Sequence, residues 1–76
     1  MSDGIVTPLD KFAAPWGREV ELQDVRFDSG LAMLRIRIRE GKRFTVMDVD
    51  AGTAAHWGRA MAEWALNAGP TRPDKE

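Results

Sequence analysis

The chain contains no cysteine. A disulfide framework, a thiol nucleophile and a thiolate metal site are therefore excluded. His56 is the single histidine, so no second imidazole exists to complete a zinc site. No run of 18 apolar residues occurs, which excludes a membrane-spanning helix. Met1-Ser2-Asp3-Gly4 lacks the basic start and apolar stretch of a secretory signal, and a cytoplasmic location is expected. An excess of one charge is also missing. Eleven Lys and Arg face 12 Asp and Glu, for a net charge of -1 and a pI near 5.8. A strongly basic nucleic-acid binder is disfavoured. There is no internal repeat and no low-complexity tract.

What is present fits one small folded domain. The 76 residues are 43% hydrophobic and 30% charged, a balance that can build a core and solvate its outside. A domain of this size buries only about 60% of the surface its unfolded chain exposes. Without disulfides it must rely on that core, or on a second copy of itself.

Residues 1–17 carry Ile5, Val6, Leu9 and Phe12, interrupted by Pro8 and Pro15. The prolines argue against a regular helix or a central strand, so an extended arm is expected there. Residues 18–27 alternate as a half-buried strand. Asp28-Ser29-Gly30 reads as a three-residue hairpin loop with glycine in the left-handed position. Residues 31–39 alternate again, Glu40-Gly41-Lys42 turns the chain, and residues 43–49 form another strand.

A helix then opens at Asp50-Ala51-Gly52-Thr53, with Thr53 as the expected cap. Trp57, Met61, Trp64 and Ala68 share one helical face, and Gly69-Pro70 is a stop signal. The expected fold is α+β: a three-stranded antiparallel meander packed on one C-terminal helix, with an extended N-terminal arm. The arm is 1–17, the β-β-β-α domain 18–69 and a disordered tail 70–76. Trp57, Met61 and Trp64 are expected to insert into the sheet face that carries Val20, Leu22, Leu34, Ile36 and Ile38.

The other face holds the sharpest feature of the sequence. Alternation puts Arg35, Arg37 and Arg39 on it, with Lys42 and Arg43 following. Arginines on an open sheet face suit DNA-binding folds that lay strands in the major groove. Closing the hairpin with Phe27 opposite Leu31 offers a different account. That register sets Glu21 opposite Arg37, Glu19 opposite Arg39 and Gln23 opposite Arg35, and also pairs Val20 with Ile38 and Leu22 with Ile36. Asp48 and Asp50 can face Arg35 from the next strand. Asp24 opposite Leu34 fits poorly and hints at a bulge. A solvated salt-bridge ladder is the favoured reading. Arg35, Arg37, Arg39 and Arg43 form the alternative nucleic-acid face.

Apolar residues remain on that second face. Val25, Phe27, Leu31 and Met33 lie at its far end, Phe44 and Val46 can join them, and Trp16 sits at the junction of arm and strand. A patch of that size in water is an interaction site. Either the arm or a second copy can cover it. No catalytic set accompanies it: His56, Arg59 and Glu63 share a helix side but have no nucleophile or pocket. Gly52-Thr53 lacks the lysine and glycine-rich loop of a phosphate site. The expectation is a non-enzymatic binding or accessory module, without cofactor or metal. Its partner would be itself as a homodimer, or another protein. The surface would comprise Trp16, Val25, Phe27, Leu31, Met33, Phe44 and Val46.

Overall fold

The computed structural model describes residues 4–68, in which four strands precede one helix. β1 spans Ile5–Ala14, β2 Arg18–Arg26, β3 Ala32–Glu40, β4 Arg43–Val49 and α1 Ala51–Ala68. The strands form one antiparallel sheet in the order β1-β2-β3-β4. The α+β class with a C-terminal helix agrees with expectation, but the sheet has four strands, not three. The segment expected as an arm contains β1. An edge strand tolerates Pro8 because one row of its backbone groups has no neighbour. The register also shifts between Pro8 and Asp10, leaving Leu9 as the extra residue of a bulge. Pro15 falls outside β1, in its turn to β2. The helix stop at Gly69-Pro70 and the tail 70–76 lie outside the described residues.

The β2–β3 register follows from the sequence pattern. Val20 pairs with Ile38, Glu21 with Arg37 and Leu22 with Ile36. Asp24 pairs directly with Leu34, so the irregularity expected there lies instead at Leu9 in β1. The loop closes as expected. Phe27 N–H donates to the Leu31 carbonyl at 2.9 Å, and Gly30, at φ 94°, donates to the Phe27 carbonyl at 2.9 Å. The β3–β4 turn is tighter than expected: Glu40 pairs with Arg43 around two residues, with Gly41 at φ 63°.

These registers define two sheet faces. Phe12, Val20, Leu22, Leu34, Ile36, Ile38, Met47 and Val49 share one, called here the apolar face. Lys11, Glu19, Glu21, Arg35, Arg37, Arg39 and Asp48 share the other, the charged face. Among the described residues the buried hydrophobic side chains are Val25, Ile36 and Val49. Val25 belongs to the charged side, between Val6 and Met33 across the ladder, and is fully buried.

Helix α1 departs most from expectation. Its cap is Asp50, not Thr53. The Asp50 carboxylate Oδ1 accepts the Thr53 N–H at 3.1 Å, and its carbonyl accepts the Ala54 N–H at 2.9 Å. Hydrogen bonds from the Thr53 side chain and backbone hold the Asp50 carboxyl below its ordinary pKa. On β4 the residue opposite Arg35 is Asp48. The expected insertion of Trp57, Met61 and Trp64 into the apolar face is not observed: α1 has no buried residue. Helix and sheet meet at the start of α1, where Ala51 lines a cavity with Ala32 and Leu34. The short link is consistent with this position. Asp50 alone joins β4 to α1, whereas connections that turn a strand into a helix packed on its own sheet commonly use 2–6 residues.

Candidate association surfaces

Side chains from all four strands meet on the charged face. Glu19 lies between Lys11 on β1, at 3.9 Å, and Arg39 on β3, at 3.1 Å. Glu21 pairs with Arg37 at 3.1 Å and also accepts from the Gln23 amide at 3.3 Å. Arg35 turns to β4 and grips Asp48 with two bonds, Nε to Oδ1 at 2.8 Å and a terminal nitrogen to Oδ2 at 3.1 Å. This bidentate fork is the strongest pairing geometry available to a carboxylate. The Arg35 hydrogen bond is the main reason the Asp48 carboxyl lies below its ordinary pKa; it outweighs the opposing effect of burial, and the guanidinium charge adds a lesser contribution. Arg18 and Glu40 pair at the sheet end as well, but by register they belong to the apolar side.

The Arg37 guanidinium also lies over the Phe44 ring, 5.0 Å from its centroid. Around this stack, Lys11, Glu19, Glu21, Arg37, Arg39 and Phe44 line a cavity of about 180 Å³. Its charges are largely satisfied by one another. Of the four residues of the alternative nucleic-acid face, Arg35, Arg37 and Arg39 are each bound to a carboxylate. Arg43 stands at the turn, opposite Glu40.

The residues expected to form an association surface are dispersed. Val25 is 0% exposed and lies inside the fold. Phe27 and Met33 are half-buried. Leu31 is exposed at the β2–β3 end, while Trp16 and Phe44 lie toward the opposite end, and Val46 sits opposite Arg37. The arginine ladder separates these groups. Trp16 is the most exposed of the set at 80%, and it occupies the left-handed region at φ 62°. That conformation is costly for a bulky side chain.

The larger uncovered apolar surfaces are elsewhere. On α1, Trp57 is 42% exposed, Met61 58% and Trp64 71%. With Ala60 and Ala65 they line a shallow, open apolar groove on the helix. On the apolar sheet face Phe12 and Met47 are exposed, and Val20, Leu22 and Ile38 are only half-buried. Sequence patterning assigned Trp57, Met61, Trp64, Val20, Leu22 and Ile38 to one core, since it identifies a face made for burial without saying which chain buries it; it placed Phe12 in the arm and gave Met47 no face. The signal that could have separated helix from sheet was the spacing. Strand alternation runs to Val49 and helical periodicity starts at Ala51, leaving one residue between them.

Residues 3–67 match a family described as "Family of unknown function (DUF6967)", and the chain belongs to it. No curated protein and no solved structure matches the chain.

Proposed function

We propose that this member of the DUF6967 family is a non-catalytic module that acts through protein–protein association, with a homodimer as its basic form. The carrying observation is that an 18-residue helix presents two tryptophans and a methionine on one face and buries none of its residues. A helix in a small domain gains most of its stability from burying such a face. The apolar sheet face is also incompletely covered, and contiguous apolar surface beyond a few hundred Å² marks an interaction site. A cysteine-free chain of 76 residues gains more than a larger one from a shared core.

The charged face supports a structural role rather than nucleic-acid binding. Guanidinium groups already neutralised by Glu19, Glu21 and Asp48 would release few counterions from a phosphate backbone. No helix among the described residues is long and apolar enough to cross a membrane; a cytoplasmic location is part of the proposal. Sedimentation velocity across a wide concentration range tests the reading. The expected result is a species of twice the 8.5 kDa chain mass. A folded chain that stays at monomer mass up to high concentration would overturn it.

A further inference from the structure

We infer that the dimer forms by reciprocal helix docking. The α1 face bearing Trp57, Met61 and Trp64 lies across the apolar sheet face of a second copy, and that copy returns its own helix to the first. This rests on the association reading above and adds the identity of the two surfaces that meet.

Each chain carries both halves of a helix-on-sheet contact and joins them only at the first residues of α1. Among the described residues the helix buries no side chain and meets the sheet only at its start, and the sheet face is covered in part, with Ile36 and Val49 buried but Phe12 and Met47 exposed. Asp50 is the whole link between them, and it is held by its own capping bonds to Thr53 and Ala54. There is no slack with which to fold α1 back over its own strands. A second copy is free of that tether. Short hinges of this kind are the usual setting for exchange of an element between identical chains.

The dimensions agree. An 18-residue helix is about 27 Å long, and the nine-residue strands β2 and β3 are each about 30 Å long. Four strands span about 15 Å across, slightly more than the 10–12 Å diameter of one helix. The surfaces also differ in shape as helix and sheet contacts require. Ala60 and Ala65 form low ground beside the two indoles, which leaves a shallow open groove on the helix face. Aliphatic side chains standing up from the sheet, Ile38 and Met47 among them, can enter it.

The area is sufficient. A large aromatic side chain presents about 250 Å², so the exposed parts of Trp57 and Trp64 amount to about 280 Å² per helix. Covering them removes a similar area from the sheet, and reciprocity doubles both, to about 1,100 Å² in all. A specific interface needs roughly 1,000 Å². The exchange is also closed. One-way docking would leave a free helix and a free sheet face at the two ends and would grow into a filament. Helix-on-helix pairing would leave both sheet faces uncovered.

Two charged variants test the arrangement by complementation. Trp64→Lys damages the helix surface and Met47→Glu the sheet surface; both side chains are exposed in the single chain. Each variant alone is expected to dimerise at least about tenfold more weakly than the wild type. An equimolar mixture is expected to regain dimer as a heterodimer, seen by native mass spectrometry. One of its contacts is then wild type, and the other sets lysine near glutamate. If helix met helix and sheet met sheet, every contact in the mixture would contain an altered side chain and nothing would be regained. A wild-type dimer with no heterodimer from the mixture overturns the inference and leaves the association reading intact. So does a Met47→Glu chain that dimerises normally. A monomeric wild type overturns both. Should circular dichroism show either charged variant unfolded, isotope-filtered spectra of wild-type chains decide: absence of contacts between one chain's α1 and the other chain's sheet overturns the inference.

Discussion

Replacing Asp48 by Asn tests the charged face with a change of one charge and almost no change of volume. Asp48 accepts two hydrogen bonds from Arg35, at 2.8 and 3.1 Å. Both side chains are more covered than exposed. Hydrogen bonds to charged groups contribute about 1.5–3 kcal/mol. Partial exposure screens this pair, so the expected loss at pH 7 is about 1–2 kcal/mol per chain. An asparagine keeps one acceptor but turns an N–H group toward the guanidinium, so it cannot restore the fork.

The pH dependence follows from the direction of the Asp48 shift. The Arg35 hydrogen bond lowers the folded-state pKa of Asp48 below the ordinary carboxylate value. The stabilisation is therefore fully present above the unfolded value and is lost as pH falls through the folded one. Urea denaturation at pH 7 and again near pH 2, at one fixed chain concentration, should show a clear gap between wild type and variant at pH 7 that narrows in acid. The other carboxylates protonate in both proteins and cancel in the difference. Equal stability at pH 7, or a gap that persists unchanged near pH 2, would refute the argument.

Val25→Ala removes two methyl groups from a fully buried side chain and should cost about 2–3 kcal/mol, read as a lower urea midpoint with an unchanged slope. A DNA titration at physiological salt should give no submicromolar binding. Submicromolar binding that disappears when Arg35, Arg37 and Arg39 are all changed to Glu would show that the carboxylate pairs do not silence this face.

The β2–β3 register was legible because two independent patterns demanded the same answer. Setting Glu21 against Arg37 and Glu19 against Arg39 also sets Val20 against Ile38, and a slip of one residue would break both sets of pairs. The arm was misread because Pro8 excludes a central strand but not an edge strand, and a bulge at Leu9 absorbs the misfit beside it. The helix itself was legible from the spacing of Trp57, Met61 and Trp64. Its position was not, since periodicity names the face to be buried and says nothing about the tether. The cap shows the same limit at small scale: Asp50 and Thr53 are both good capping residues, and the end of β4 at Val49 decides between them.

The central claim is that the apolar face of α1 is covered by a second copy of the chain. Isotope-filtered nuclear Overhauser spectra on a mixture of labelled and unlabelled wild-type protein address it most directly. The account predicts intermolecular contacts from the Trp57 and Trp64 indole protons to the Ile38 and Met47 side chains. Indole protons that touch only their own chain, or that make no sheet contact while the protein runs as a monomer, would contradict it.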